Sequence, residues 1–403
     1  MVKTIRLESQ KVYAFALVYM VSFVGLLNLI NSLLNMAGLQ TVLDTVVLYG
    51  VLFGLLFVGL LVAVSDRRGM EIDVLLVVGI FVLLYISSYV LHSRNRSYLI
   101  TSFLDYDDNP FYLIFLYSLP CYIFVRKLRD YKYFQKVLVK FSYAIVIMSI
   151  VVFIFGGDVH GKQYMMFSYN MLLQLLVLVY HKPKRLKWLY KIFLAGSICI
   201  FAIGGARGAL VSFVAVVVLY NFMTMCLDRK NVVLLLLMVV AIAMFVFVRE
   251  QIISWMTDIL KSFSLESRTL EYIIQGQFLD DSYRIAIYSA SWEYIDMLGH
   301  GLRGDRAFLG GSYVHNIFIE LWMDFGWIFG TLIIALLLAA LFCGIKNKNK
   351  PEHFYVFLFL SIGFFSLLLS GSYLNQTPAF FALFGFCENA ILRREGRKGA
   401  PKS

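Results

Sequence analysis

Apolar residues in this chain gather into runs of roughly 17 to 25, separated by short polar or charged connections. They are not the short, half-buried stretches of a water-soluble fold. Each run is long enough to cross about 30 Å of hydrocarbon as a helix. The pattern predicts twelve spans, near residues 12–37, 41–64, 72–92, 110–126, 137–155, 164–181, 188–205, 208–227, 231–249, 316–345, 354–371 and 377–391. The expected fold class is an all-α polytopic membrane protein, with residues 1–403 forming one integral membrane domain.

Composition agrees with the pattern. Of the 403 residues, 60% are hydrophobic and only 15% charged, against about a quarter charged in soluble domains. The basic N-terminus MVKTIRLESQK leads into a long apolar run with no small-residue cleavage site after it, so it reads as a retained first helix. The five cysteines (Cys121, Cys199, Cys226, Cys343 and Cys387) are scattered through the spans at no ligand spacing, so neither a disulfide framework nor a metal site is expected, and no cofactor is expected.

The net charge of +11 is an orientation signal. Alternate connections, with Lys140 and Lys191 at adjoining helix ends, hold 26 of the 36 lysines and arginines. By the positive-inside rule these connections are cytoplasmic, which puts both termini inside. No nucleic-acid partner is needed to explain the charge. On the opposite side most connections are short, and AGLQT (37–41) carries no charge. Residues 250–315 are the exception, a polar outer loop of about 65 residues between the ninth and tenth spans. Long loops in compact proteins are commonly functional.

The loop opens on QIISWMTDILKSF, where Ile252, Trp255, Met256, Ile259 and Phe263 recur at helical spacing. This predicts an amphipathic helix, lying on the membrane surface or packed on the bundle. A second helix is predicted over 282–298, capped by Asp280 or Asp281 and stopped by Gly299. It carries Arg284, Tyr288, Ser291, Trp292 and Ile295 on one face. Arg284 falls in its first turn, where helix N–H groups and a guanidinium could bind one anion together.

Next comes the glycine-rich GHGLRGDRAFLGGSYVHN (299–316), with Arg303 and Arg306 as further candidate phosphate ligands. Asp305 between them offers a second reading, an internal ion pair. His315 and Asn316 open the tenth span, followed by Glu320 and Asp324 on one face. Histidine titrates close enough to neutrality to act as a base, and carboxylates so near a bilayer tend to face a bundle interior or a wet cavity. Arg207, in GGARGA between two spans, has no acidic neighbour in sequence. It reads either as a residue snorkelling to lipid headgroups or as an anion site.

Ala206-Arg207-Gly208-Ala209 at the start of a span, DSYRIAIY (281–288), Gly299 and Gly301, and His315-Asn316 followed by Gly326 together resemble the O-antigen polymerase and O-antigen ligase superfamily of bacterial cell envelopes. The chain departs from that pattern at Phe329, where a small residue or valine is usual, with Gly330 one position later. The resemblance implies a metal-independent glycosyltransferase of the C superfamily in the bacterial cytoplasmic membrane. It would act at the outer face on glycans carried by polyprenyl diphosphate, beside membrane lipid and with chain-length regulator and flippase proteins as partners. Polymerisation of repeat units into capsule, exopolysaccharide or O-antigen is the first expectation. Ligase-like transfer of a finished glycan is the alternative, and a flippase or exporter is the second.

By the resemblance, Arg207, Arg284 and His315 inherit functional roles. The chemistry adds Arg303 or Arg306 on the diphosphate, Glu320 as a second candidate base, and Asn316 beside His315. Tyr288, Trp292 and Tyr313 have two readings, stacking on sugar or packing. Asp105, Asp107 and Asp108 read either as part of an acceptor site or as a solvated turn.

Overall fold

The structure is a computed structural model that describes residues 2–39, 42–65, 72–100, 109–155, 162–183, 185–204, 206–224, 282–347, 350–375 and 377–392. The ninth predicted span, the surface helix of residues 252–263, Asp280, Asp281 and the acidic turn with Asp105, Asp107 and Asp108 lie outside the described residues.

Every regular element among the described residues is helical. In order they are α1 (Val2–Met36), α2 (Val42–Ser65), α3 (Ile72–Leu91), α4 (Leu119–Lys127), α5 (Tyr131–Phe155), α6 (Lys162–Tyr180), α7 (Lys187–Gly204), α8 (Arg207–Thr224), α9 (Ser282–Tyr294), α10 (Gly304–Phe308), α11 (Ile317–Lys346), α12 (Pro351–Leu360) and α13 (Thr377–Leu392). Short turns stand at Ser93–Asn95 and Arg96–Leu99, and π-helical turns at Tyr112–Ser118 and Ser361–Phe365. Within hydrocarbon a helix satisfies every backbone group internally, which is why the apolar runs become helices. Seven described helices are long and apolar enough to cross a membrane, and Phe167–Tyr180 and Pro378–Leu392 are shorter apolar helices. The chain is a multi-pass membrane protein whose described residues form only helices as regular elements.

α13 packs against α4, α11 and α12, while α1 packs against α2 and α5. Buried Phe134, Tyr355, Phe386 and Phe359 pack ring against ring in that order, with successive centroids 5.0–5.4 Å apart. Buried Arg126 joins three helix ends through Asp73, Glu388 (3.4 Å) and Asn389 (2.9 Å).

Two differences from the sequence expectation shape the site. The loop helix ends at Tyr294 instead of running to residue 298. Beyond it the Asp296 carboxylate accepts the N–H groups of Leu298 (3.1 Å) and Gly299, a local turn that competes with the helix. The tenth span is broken at Gly326, whose φ of 72° and ψ of 178° are not helical. The carboxylates of Glu320 and Asp324 belong to the segment before the break. The stretch from Trp327 to Lys346 alone measures about 30 Å, enough for the hydrocarbon.

The backbone groups released by the break are taken up by the loop. His300 N–H donates to the Met323 carbonyl (2.9 Å) and Gly301 N–H to that of Asp324 (2.8 Å). In return Trp327 N–H donates to the Asp296 carbonyl (2.9 Å) and Ile328 N–H to that of Met297 (3.4 Å). Gly299 (φ 82°) and Gly326 touch at this seam. A Cβ on Gly326 would stand 2.5 Å from the Gly299 nitrogen, and a Cβ on Gly299 would collide with backbone at Asp324–Gly326. Gly330 allows a further close approach, since a Cβ there would be 2.8 Å from the Leu321 carbonyl oxygen. Alanine at Gly299 or Gly326 should therefore cost at least about 2 kcal/mol, from left-handed strain plus overpacking. The expected result is a lower thermal midpoint for the detergent-solubilised protein; an unchanged midpoint would refute the seam.

Candidate functional site

The site is organised by a turn that the sequence did not advertise. After the π-helical turn Ser361–Phe365, the helix ends at Leu369, and Ser370 leaves the helical region (φ −163°, ψ −2°). A π turn inserts a residue into the helical register, and a helix end leaves carbonyls without N–H partners. Three such carbonyls here accept from residues singled out in the sequence. Asn316 Nδ2 donates to Leu368 (3.4 Å), Arg284 Nη1 to Leu369, and His315 Nδ1 to Ser370 (3.1 Å). Tyr313 Oη also donates to the Ser370 carbonyl (3.3 Å), and its ring lies 4.0 Å from that of His315. The negative end of a helix dipole suits these donors and the Arg284 cation.

Arg207, half-buried, is the first residue of α8. Its neighbour Gly208 presses on the same turn: a Cβ there would meet Tyr169 Oη and sit 3.4 Å from Leu369 and from Ser370 Oγ. Tyr169 Oη in turn hydrogen-bonds Ser370 Oγ, and the Ala206 N–H donates to Ser168 Oγ. The glycine thus serves close helix contact. Residues from α8, α9 and α11, far apart in sequence, meet around Leu368–Ser370.

His315 itself has φ of 60°, a left-handed conformation that histidine tolerates better than most residues. Tyr288 Oη donates to its carbonyl (3.5 Å). The Asn316 side-chain oxygen caps α11 by accepting from Phe318 (3.0 Å) and Ile319 (3.4 Å). Both ends of Asn316 are therefore engaged in holding the start of α11 against the turn.

Behind these residues lies a buried polar cluster. Arg306, 3% exposed, donates to both Asp305 oxygens (2.8 and 3.0 Å), Glu320 Oε1 (3.3 Å), Ser372 Oγ (2.9 Å) and Asn375 Oδ1 (3.1 Å). Burial works against its charge, but Asp305, Glu320 and Asp324 around it hold its pKa above the ordinary arginine value. Glu320, fully buried, also accepts from Ser372 Oγ and the Tyr373 N–H (3.2 Å). Asp324 accepts from Gly304 N–H (2.9 Å) and from Tyr373 Oη. Asp305 Oδ2 accepts the Val314 N–H (3.3 Å), and the Arg306 guanidinium sits 5.4 Å from the Tyr313 ring centre. Arg306 is thus paired internally, with Asp305 at 2.8 Å and with Glu320 at 3.3 Å.

Arg303 is buried as well, with φ of 61°, and donates to the Tyr98 carbonyl (3.3 Å). Asn95 Nδ2 donates to the carbonyls of His300 (2.6 Å) and Leu302 (3.0 Å), and Ser88 Oγ accepts the Leu302 N–H (2.9 Å). The glycine-rich segment is thus pinned to the end of α3. Trp292 stacks on Trp327 with centroids 5.6 Å apart.

Sequence reasoning missed Tyr169, Ser370, Ser372, Tyr373 and Asn375. The available signal was the polar stretch SGSYLN (370–375), which straddles the end of the span predicted over 354–371.

Residues 192–334 match the family model described as O-antigen ligase. The matched stretch holds Arg207, Arg284, His315 and the Arg306–Glu320 pair, and stops short of the turn at Leu368–Ser370 that Arg284 and His315 reach. No curated protein and no solved structure matches the chain.

Proposed function

We propose that this chain, whose residues 192–334 match the family model described as O-antigen ligase, polymerises glycan repeat units carried on polyprenyl diphosphate at the outer face of the bacterial cytoplasmic membrane. The observation that carries this reading is the meeting of Arg284 and His315 at one helix end, with Gly208, the neighbour of Arg207, pressed against the same turn and a buried scaffold behind them.

In the reaction, a sugar hydroxyl of the acceptor attacks the anomeric carbon of the donor glycan. A new C–O bond forms, the bond from that carbon to the diphosphate oxygen breaks, and polyprenyl diphosphate leaves. The hydroxyl proton passes to His315. Its Nδ1 faces a carbonyl oxygen that can only accept, so Nδ1 carries the hydrogen and Nε2 keeps the lone pair. Negative charge grows on the departing oxygen, and Arg207 and Arg284, permanently charged, stabilise it. Metal is unnecessary in this scheme because the guanidinium groups meet that charge. Arg306, Glu320 and Arg303 act as scaffold, consistent with their buried bonds.

An apolar groove supports the lipid part of the donor. Below Arg207, the residues Leu210, Val211, Val214, Val218 and Phe222 of α8, with Phe365, line a groove of about 710 Å³. Val211, Val214, Val218 and Phe222 follow Arg207 at helical spacing on one face. A guanidinium at the head of a hydrocarbon-lined groove is complementary to a diphosphate carried on an isoprenoid chain.

Removing a preorganised electrostatic donor typically costs about 100-fold in rate, or about 3 kcal/mol. Arg207→Ala and Arg284→Ala should each slow transfer by that order with the fold retained. In the native cells, Arg207→Ala should leave single repeat units where the surface polysaccharide normally gives a ladder on a gel. Full-length polymer stranded on its lipid carrier would instead identify a ligase, and lipid-linked units trapped at the inner face a flippase. An unchanged polysaccharide would refute the reading altogether.

A further inference from the structure

Trp292, Trp322 and Trp327 form a three-ring cluster with centroids 5.0–5.6 Å apart. The first comes from α9 in the loop, and the other two stand on either side of the break at Gly326 in α11. Trp292 is 46% exposed and Trp327 38%. The seam of backbone hydrogen bonds described above sets Met297 beside Ile328, whose N–H donates to the Met297 carbonyl. Met297 and Leu298 are 61% and 69% exposed, and Ile328 and Phe329 are each 52% exposed. From there Leu332 and Leu336, also exposed, continue the apolar stripe down α11. The polar residues Glu293 and Asp296 of the same loop segment are exposed too. Apart from Glu293 and Asp296, this loop surface is apolar and runs into the outward face of a helix long enough to span a membrane.

That continuity identifies the occupant. A sugar ring stacked on tryptophan needs several hydrogen-bonding side chains around it, whereas the large exposed side chains that continue this cluster, Met297, Leu298, Ile328, Phe329, Leu332 and Leu336, are apolar, and the Trp322 N–H is taken by Thr331 (3.1 Å). Indole rings with an apolar body and a polar N–H collect at the level of lipid headgroups. We propose that Trp292–Leu298 is an interfacial anchor: the tryptophan cluster sits at headgroup level, and Met297 and Leu298 enter the acyl chains of the leaflet that meets Ile328 and Phe329. The partner is the phospholipid surface itself. α9 is then fixed at both ends, by lipid at Trp292 and by the Arg284 bond to the Leu369 carbonyl about 12 Å away along the helix. The anchor sets the height of Arg284 relative to the headgroups, where a lipid-borne anion would lie.

The test uses the full chain in phosphatidylcholine vesicles, with Trp188, Trp255, Trp322 and Trp327 replaced by phenylalanine so that Trp292 alone fluoresces. Lipids brominated near the headgroup should quench Trp292 by roughly half or more. Lipids brominated near the bilayer centre and aqueous acrylamide should quench it far less. Strong acrylamide quenching without lipid quenching would overturn the anchor and leave the cluster to water or glycan; no quenching by either would overturn it in favour of a protein contact. A second variant avoids the tryptophan substitutions. Leu298→Cys, with the five native cysteines replaced by alanine, is labelled with a nitroxide. Oxygen should reach that label more readily than a water-soluble nickel chelate, and the reverse order would overturn the proposal. Neither measurement needs a glycan substrate, so failure of the transfer reaction and failure of the anchor are told apart.

Discussion

Asparagine in place of His315 is expected to lower the glycan-transfer rate by about 10²- to 10⁴-fold, the usual contribution of a positioned general base. Asparagine tolerates the left-handed backbone at this position (φ 60°) about as well as histidine does. Its side chain is polar but has no basic lone pair. Purified protein in proteoliposomes, supplied with lipid-linked glycan from the native cells, gives the rate. Thermal unfolding of the same preparation checks that the fold survives. A rate within a few-fold of the parent would remove His315 from the chemistry, even if Arg207 and Arg284 remained necessary.

The second large effect falls on stability. Arg306→Met should destabilise the protein by about 3–5 kcal/mol, because it strands the carboxylates of Asp305 and Glu320 in a dry interior. If the loss comes from unpaired charge, neutralising the partners should recover much of it. Arg306→Met combined with Asp305→Asn and Glu320→Gln is therefore expected to unfold at a higher temperature than Arg306→Met alone. An Arg306 that binds diphosphate instead would behave differently: its single variant would lose transfer at parental stability, and the triple variant would regain nothing.

These two predictions separate roles that looked alike in the sequence. Arg207, Arg284, Arg303 and Arg306 all read as candidate phosphate ligands, since each is an arginine near glycines or a helix start. A guanidinium's role depends on what its five N–H groups face. For Arg306 those partners are Asp305, Glu320, Ser372 and Asn375, three of them 14 or more positions away. No spacing rule reaches that far. Asp305, adjacent to Arg306, was the one legible sign of an internal pair.

Gly326 gives a similar lesson in the opposite direction. It was legible as part of a motif together with Gly299 and Gly301, but not as a helix break. The apolar run continues straight through it, so hydropathy saw one span from 316 to 345. Only the touching of Gly299 and Gly326 explains why neither position admits a Cβ. The same contact moves Glu320 and Asp324 out of the stretch that matches the hydrocarbon thickness, which removes the puzzle of two carboxylates inside a span.

By itself the sequence determined that this is a helical, multi-pass membrane protein, and it pointed to the arginines and the histidine worth testing. Both are local properties: the length of an apolar run, and the chemistry of a side chain next to a turn. The tertiary structure alone decided which residues share a site. The carbonyls of Leu368, Leu369 and Ser370 collect Asn316, Arg284 and His315 across separations of 52 to 85 residues. A helix end creates unsatisfied acceptors wherever it falls, and only the packing of helices around it determines which donors arrive.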